Sequence, residues 1–378
     1  MKICFLLAHV PNPRFNKRIS VAKECGEVAV ICVRRHSGDL FEPYFDDVPH
    51  TIFNIDFPSS AQPVKRYFTT RGFERQALQS LEQERPDLIY AGGFNGLLIA
   101  VKYRQKHPAT RVFCEVGDLR EIFIEEPRSA KQKLLKKVLQ RMENRCLGDL
   151  EQLIVTSELF YENYYRRLLP PEKVLFIPNL PDLSAFRDYR KKADGPFTVG
   201  FIGGIRYVRQ MHLLVDAAEQ AGVNVLFAGG SNTQEDLDDI TAYCQDKPFV
   251  RFSGRYDYNR DIAGLYGSVD CVFAVYDADN PNVRIALPNK LYEATYCGLP
   301  ILVAKDTYLA QLVDEWGVGI AVSHKDPTEL TAVLKKLKNN SSYYESFVQN
   351  CLAKKPDINY TIYQNALKGR IKKVLSED

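Results

Sequence analysis

The sequence predicts an α/β protein built from two doubly wound, Rossmann-like domains. Three observations support this prediction. Short apolar runs alternate with segments of helical periodicity along most of the 378 residues. These runs are continuously apolar, which is typical of parallel strands that are buried on both faces. A segment rich in proline, glycine and charge, residues 178–196, interrupts the alternation near the middle of the chain and indicates a linker.

The apolar runs place the strands in order along the chain. Before the linker they lie at residues 3–8, 28–33, 51–55, 88–91, 112–116, 153–156 and 174–177. After it they lie at residues 198–202, 223–228, 250–253, 271–275, 301–304 and 319–322. We therefore expect an N-terminal domain over residues 1–185 and a C-terminal domain over residues 186–357. The two would face each other across a central cleft, with ligands at the carboxyl ends of the strands.

Composition excludes several classes of protein. A net charge of +3 provides no general field for nucleic acid, so we expect no nucleic-acid partner. The nine cysteines show no C-x-x-C pair and no zinc spacing, which favours a reducing, cytoplasmic location. No apolar run approaches the length of about 18 residues that a membrane span needs. The first apolar run leads into Pro11, Asn12 and Pro13 and indicates a buried strand, not a signal peptide.

The most informative segment is a predicted helix that begins at Pro288 and is followed by a buried strand. Proline suits the start of a helix, and Gly298 suits a left-handed stop after its end. The free N–H groups near Asn289, Lys290 and Leu291 would form a phosphate site at the positive end of the helix dipole. Lys290 would add a mobile cation there.

Glu293 lies three residues after Lys290, on the same face of the helix. Its carboxylate could accept hydrogen bonds from the hydroxyl groups of a sugar. Phosphate and ribose together suggest a nucleotide and, in this context, a nucleotide-sugar.

Glycine loops follow other strands of the second half. Gly203 and Gly204 would let the backbone approach a diphosphate closely, and Arg206 would clamp it. The later loop with Arg255 and Tyr256 could hold a base. Ordinary surface turns remain the alternative for each loop.

Acidic residues provide candidates for other chemistry. Asp118 follows a strand of the first half. It is either a functional residue, as a hydroxyl-orienting group or a general base, or a helix N-cap. His9 and Glu115 also follow or end strands there. Asp277 and Asp279 match no calcium-loop spacing, so we interpret them as a solvated polar loop and expect no metal.

Residues 131–150 form a strongly amphipathic helical pattern. Its apolar face comprises Leu134, Leu135, Val138, Leu139, Met142, Cys146 and Leu150, and a basic stripe beside it comprises Lys133, Lys137, Arg141 and Arg145. We interpret this helix as core-facing with a solvated basic side. The alternative is docking to an anionic membrane.

Together these segments resemble the GT-B-fold glycosyltransferases, close to the retaining enzymes of family 4. Residues 288–302 resemble the family pattern "PxKxxEAxAxGxPVI", and residues 265–272 resemble "LYxxADxxV". The loop from Gly203 to Arg206, residues 177–179 and residues 151–157 resemble further family segments. The resemblance covers nearly the whole chain.

The resemblance implies specific roles for these residues. Arg206 and Lys290 would hold the diphosphate, Glu293 would bind the ribose, and a C-terminal helix at 358–378 would pack back on the N-terminal domain. Two positions depart from the family. Ile285 stands where the first glutamate of the Glu-x7-Glu motif is expected, and Gly117 stands where an acceptor-side histidine is expected.

The sequence therefore predicts a glycosyltransferase that moves a sugar from a nucleotide-sugar, by family frequency a UDP-sugar, to a glycan or lipid-linked acceptor. The chemistry would proceed with retention and without metal or other cofactor, in surface polysaccharide synthesis. Two alternatives remain: a non-catalytic GT-B-fold partner protein, and a nucleotide-sugar epimerase that would use His9, Glu115 or Asp118.

Overall fold

The computed structural model describes residues 1–34, 41–57, 62–127, 129–192, 195–231 and 233–376. The chain divides into two compact units, Met1–Pro178 with Tyr360–Asp378, and Asn179–Asn359. Each unit contains one parallel sheet flanked by helices. The sequence predicted the boundaries at 185/186 and 357/358; the structure has them at 178/179 and 359/360.

The first unit contains a seven-stranded sheet in the order β3-β2-β1-β4-β5-β6-β7. Its strands are β1 (Lys2–Leu7), β2 (Glu27–Arg34), β3 (His50–Asn54), β4 (Leu88–Gly92), β5 (Arg111–Val116), β6 (Gln152–Val155) and β7 (Val174–Phe176). Its helices are α1 (Pro13–Lys23), α2 (Pro63–Glu84), α3 (Gly93–Arg104), α4 (Glu121–Ile124), α5 (Ala130–Gly148), α6 (Glu158–Asn163) and, from the end of the chain, α15 (Tyr360–Ser376).

The second unit contains a six-stranded sheet in the order β10-β9-β8-β11-β12-β13. Its strands are β8 (Thr198–Ile202), β9 (Asn224–Ala228), β10 (Val250–Gly254), β11 (Cys271–Ala274), β12 (Ile301–Ala304) and β13 (Gly319–Val322). Its helices are α7 (Val208–Ala221), α8 (Gln234–Tyr243), α9 (Tyr258–Gly267), α10 (Pro281–Ile285), α11 (Asn289–Tyr296), α12 (Tyr308–Trp316), α13 (Pro327–Asn339) and α14 (Ser341–Lys354). This strand order is that of a dinucleotide-binding fold.

All the predicted strands are present, most with ends shifted by a residue or two. The predicted linker is different, because its second part is packed into the second unit. Phe186 is 2% exposed and contacts the rings of Tyr258, Tyr266 and Tyr296. The Tyr189 hydroxyl donates to the carbonyl oxygen of Cys297 at 2.7 Å. Isolated aromatic anchors of this kind leave no periodic pattern in a sequence, which explains why this segment was predicted as a linker.

The interpretation of α5 as a core-facing helix is wrong for most of its length. Leu134, Leu135, Val138 and Met142 are 65%, 50%, 42% and 40% exposed. Only the last turns are buried, at Glu143, Cys146 and Leu147. Periodicity identifies an apolar face but does not show what covers it. Within the described residues, no helix is long and apolar enough to cross a membrane.

A buried ionic cluster joins the C-terminal helix α15 to the sheet of the first unit. Glu115, at 1% exposure, pairs with Arg18 at 3.0 Å and with Arg14 at 3.2 Å. It also accepts a short hydrogen bond from the Tyr90 hydroxyl. Arg18 is itself 1% exposed and donates to the hydroxyl of Tyr360, the first residue of α15, at 2.8 Å. This cluster fixes the point at which the chain returns to the first unit.

Candidate functional site

The glycine loop after β8 and the start of α11 meet at the carboxyl edge of the second sheet. Gly203 has a φ of 146°, a conformation that favours glycine. A β-carbon at Gly203 would lie 2.6 Å from Nζ of Lys290, so glycine also leaves room for the lysine side chain. The structure thus brings together two groups that the sequence predicted separately as diphosphate contacts.

Lys290 is a buried cation, with 6% of its surface exposed. Its Nζ lies 5.1 Å from the centre of the Phe201 ring and 5.7 Å from that of Tyr276. Within the part of the chain that the structure describes, no carboxylate forms an ion pair with it. A buried charge without a counter-ion is costly, and ring faces recover only about 0.5–2 kcal/mol of that cost. An anionic ligand would supply the missing charge.

Arg206 provides a second cation at this loop. It is exposed, and its guanidinium carbon lies 5.3 Å from the ring of Tyr207 and 5.8 Å from that of Tyr276. The Tyr276 ring therefore contacts both Arg206 and Lys290. Its hydroxyl is buried and has no hydrogen-bond partner among the described residues. Two cations and an unused phenolic donor around one ring suit an oxygen-rich anion such as a diphosphate.

Glu293 lies on α11 at 1% exposure and is held by three donors. Its carboxylate accepts from the Tyr258 hydroxyl at 2.8 Å, the Tyr266 hydroxyl at 2.6 Å and the Asn289 amide at 2.7 Å. A carboxylate has about four acceptor positions, so one remains for a further donor. Glu293 is thus a fixed acceptor, and Asn289 orients it.

Replacing Glu293 with glutamine is expected to lower the free energy of unfolding of the second unit by about 1–3 kcal/mol, because the new amide would leave buried partners unsatisfied. Tyr258→Phe, which removes one of the three donors, should cost less. Chemical denaturation of both variants tests this expectation. Equal stability of Glu293→Gln and the wild type would contradict the fixed-acceptor role.

The C-terminal end of α11 agrees with the sequence prediction, whereas its N-terminal end is shifted by one residue. Gly298 has a φ of 71°, which confirms the predicted left-handed stop. Pro288 is the N-cap residue, so the helix begins at Asn289 and not at the proline. Leu291 is fully buried, backbone included, so it presents no surface to a ligand.

The neighbouring loops bring further predicted residues to the same edge. Gly204 is exposed beside Gly203. A β-carbon at Gly230, after β9, would lie 2.7 Å from Nε of Arg255, so the Arg255 side chain packs over this glycine. Tyr256 is half-buried; burial, and next the charge of Glu293, raise the pKa of its hydroxyl. The hydroxyl therefore stays protonated as a donor.

Asp277 and Asp279 lie in the loop after β11, next to basic residues. Asp279 pairs with Lys325 at 2.7 Å, and Asp277 lies 3.2 Å from His324. The hydrogen bond from Lys325 holds the pKa of Asp279 below its ordinary value. Ligand atoms of Asp277, Asp279 and His324 lie within 4.8 Å of one another, but Lys325 already provides a positive charge there.

The remaining predicted residues belong to the first unit. Asp118 is exposed in the turn between β5 and α4. Glu115 is buried in the ionic cluster. Although burial raises its pKa, the charges of Arg18 and Arg14 outweigh this effect and lower it. Nδ1 of His9 lies 2.7 Å from the carbonyl oxygen of Val10. Glu115 is therefore a structural anion and does not suit proton transfer, whereas Asp118 is accessible.

Sequence reasoning missed the tyrosines that complete the site. Tyr276 contacts both cations, and Tyr258 and Tyr266 hold Glu293. Each combines an apolar ring with one hydrogen-bonding group, which suits a buried polar site. Tyr276 follows the predicted strand at residues 271–275, and this position at the carboxyl end of a strand could have identified it as a candidate site residue.

Comparisons with known proteins agree with this architecture. Residues 184–353 match the family model described as glycosyl transferases group 1, and residues 21–180 match the glycosyl transferase 4-like domain. The succinoglycan biosynthesis protein ExoL of Rhizobium meliloti (strain 1021) is 25% identical over 292 residues, 73% of this chain and 71% of ExoL. The O-antigen chain mannosyltransferase C of Escherichia coli is 27% identical over 113 residues, 28% of this chain and 30% of that protein.

Solved structures show the same fold. Anabaena Alr3699/HepE in complex with UDP and glucose matches with a TM-score of 0.72 at 18% identity, and sucrose-phosphate synthase from Thermosynechococcus elongatus with 0.74 at 15% identity. Both matches cover all of this chain and all of the other chain. With both halves matched by glycosyltransferase family models, the chain belongs to the GT-B-fold glycosyltransferases, in the group that resembles family 4.

Proposed function

We propose that the protein transfers a sugar from a nucleotide-sugar, with UDP as the carrier, to a glycan or lipid-linked acceptor in polysaccharide synthesis. The observation that carries this proposal is the buried Lys290 ammonium group, which lies against Gly203 and lacks a counter-ion among the described residues. UDP bound to HepE supports the choice of carrier. The name of ExoL supports polysaccharide synthesis.

Charge stabilisation is the main catalytic task in this proposal. As the bond between sugar and diphosphate breaks, negative charge grows on the departing diphosphate. Lys290, Arg206 and the N-terminus of α11 would stabilise it without a metal. In a retaining, same-face transfer the departing diphosphate takes the proton of the acceptor hydroxyl, so no protein nucleophile is needed. Asp118 would orient the acceptor hydroxyl.

Ile285 at the end of α10 supports a second candidate function. An isoleucine cannot hydrogen-bond to the donor sugar as a carboxylate would, and a protein without this contact could be a non-catalytic partner protein. Such a protein would bind nucleotide but would not turn over a donor. The epimerase alternative is weaker, because Glu115 forms ion pairs with Arg14 and Arg18 and is therefore a poor acid or base for epimerisation.

These functions can be distinguished by one experiment. The protein is incubated with a panel of nucleotide-sugars without acceptor, and the released nucleoside diphosphate is measured. We expect slow release from one donor. Binding of nucleotide without release from any donor, both alone and with lipid-linked sugar acceptors added, would identify the partner protein. An altered nucleotide-sugar without release would identify the epimerase.

We also propose that α5 docks on an anionic membrane surface. The helix presents the exposed apolar residues Leu134, Leu135, Val138 and Met142. Its basic stripe, Lys133, Lys137, Arg141 and Arg145, is exposed as well. Apolar insertion combined with cations is how interfacial helices bind acidic lipids.

Replacing both Leu134 and Val138 with glutamate is expected to abolish sedimentation with vesicles that contain acidic lipid. The substitutions remove two apolar side chains that would insert, and the new carboxylates would be repelled by the negatively charged lipids. Leu352→Glu, on the second unit at 45% exposure, is the matched control and should sediment like the wild type. Equal sedimentation of the double variant and the wild type would refute docking through α5.

A further inference from the structure

A cavity of about 500 Å³ lies within the first unit, between α2, α3 and α5. This size falls within the range of roughly 300–1,000 Å³ that is typical of small-molecule sites. Its wall is largely apolar and is formed by Phe57, Tyr67, Phe94, Leu98, Leu139 and Met142. Ala8, just after β1, also lines it, so the cavity reaches the carboxyl edge of the sheet.

The same cavity carries an excess of positive charge. Four cations and one carboxylate line it, namely Arg66, Arg71, Lys102, Arg120 and Glu74. Glu74 pairs with both Arg71 and Lys102. Within the described ranges, neither Arg66 nor Arg120 forms an ion pair with a carboxylate.

Arg120 is the more constrained of these two cations. Its guanidinium group stacks 4.7 Å from the centre of the Phe94 ring. Burial, and next the nearby charge of Arg66, lower the pKa of Arg120, and the charge of Glu143 only partly offsets them. Two like charges held together at an apolar wall disfavour each other, and a bound anion would relieve this repulsion.

We propose that this cavity binds a single-chain lipid phosphate, the carrier of the acceptor sugar. Arg66 and Arg120 would hold the phosphate, and Leu98, Leu139 and Met142 would contact the chain. A free sugar phosphate would not use the apolar wall, and a neutral lipid would leave both guanidinium groups unpaired.

The fold gives the bound lipid a direction. Met142 is 40% exposed and continues into the exposed apolar face of α5, so the chain leaves the cavity towards the membrane-docking helix. Arg120 follows Asp118 by two residues in the turn after β5, so a sugar on the phosphate would lie beside the proposed hydroxyl-orienting group. This inference rests on the proposed function and narrows its acceptor to a lipid-linked one.

Titration of the full chain with farnesyl phosphate, farnesol and inorganic phosphate tests the proposal. Farnesyl phosphate should bind more tightly than either of the others. Arg66→Gln and Arg120→Gln should each weaken it by about tenfold or more, as expected for loss of a charged hydrogen bond. Arg66 is exposed, so its variant should fold. Arg75→Gln, on α2 outside the cavity, is the matched control and should bind like the wild type.

Several outcomes would overturn the proposal. Farnesol binding as tightly as its phosphate would remove the role of the cations, and displacement by UDP would identify a nucleotide site. If Arg66→Gln, Arg120→Gln and the control all bind farnesyl phosphate equally, this cavity is not the binding site. Tighter binding to vesicles of two-chain phospholipid than to farnesyl phosphate would also reject the proposal. If wild-type protein still releases nucleoside diphosphate from a donor while farnesyl phosphate fails to bind, the lipid site is rejected and the proposed function stands. Lipid binding without turnover of any donor would support the lipid site and reject the proposed function.

Discussion

Replacing Lys290 with methionine is expected to lower the turnover number by about 10²–10³-fold, the effect of losing one preorganised charge-stabilising group. The stability of the protein should stay the same or increase. Lys290 is 6% exposed and lacks a carboxylate partner in the described part of the chain, so its removal eliminates a desolvation cost. Turnover of the donor identified by the panel and thermal unfolding of the variant measure the two effects.

A surface lysine of the same unit provides the control for this variant. Lys247 pairs with Glu219 at 2.7 Å, and Lys247→Met should keep wild-type turnover. Near wild-type turnover in Lys290→Met would remove this residue from the catalytic site. A loss of several kcal/mol of stability would instead make it a structural cation.

Glu115→Gln is expected to lower the free energy of unfolding of the first unit by about 3–5 kcal/mol. The substitution leaves the buried guanidinium group of Arg18 without its counter-ion. Tyr360→Phe is the milder comparison, because it removes one hydrogen bond at the start of α15 and should cost only about 0.5–1.5 kcal/mol. Denaturant unfolding of both variants gives these values.

The effect of Glu115 should depend on pH in one direction. Its pKa is lower in the folded protein than in the unfolded chain, because Arg18 and Arg14 outweigh the effect of burial. Its contribution is therefore fully present above the ordinary glutamate pKa of about 4.3 and is lost as the pH falls through the folded value. The stability difference between wild type and Glu115→Gln should be largest near neutral pH and narrow in acid. A constant difference down to low pH would contradict this assignment.

The fold was predictable because buried parallel strands leave an unambiguous pattern. Runs such as residues 198–202 and 301–304 are apolar on both faces. The first coincides with β8 and the second with β12. The helix α5 was not predictable in the same way. Its apolar face has the same spacing whether protein, lipid or nothing covers it, so only the structure shows that Leu134 is exposed.

The candidate site was predictable in its parts but not in its assembly. Gly203 and Lys290 were each identified from local chemistry, whereas their contact depends on the order of the strands. The role of Tyr276 depends on two cations from separate segments and has no local signature. Glu293 was predicted as an acceptor for sugar hydroxyl groups, but its burial among three donors had no signal in the sequence.

In the proposed function, Lys290 and the Gly203 loop bind the diphosphate of a nucleotide. Calorimetric titration of UDP, GDP, UMP and GMP into wild-type protein and Lys290→Met tests it most directly. We expect the wild type to bind one diphosphate at least about tenfold more tightly than its monophosphate, and the variant to lose most of that preference. A variant that keeps the full preference for the diphosphate would contradict the account.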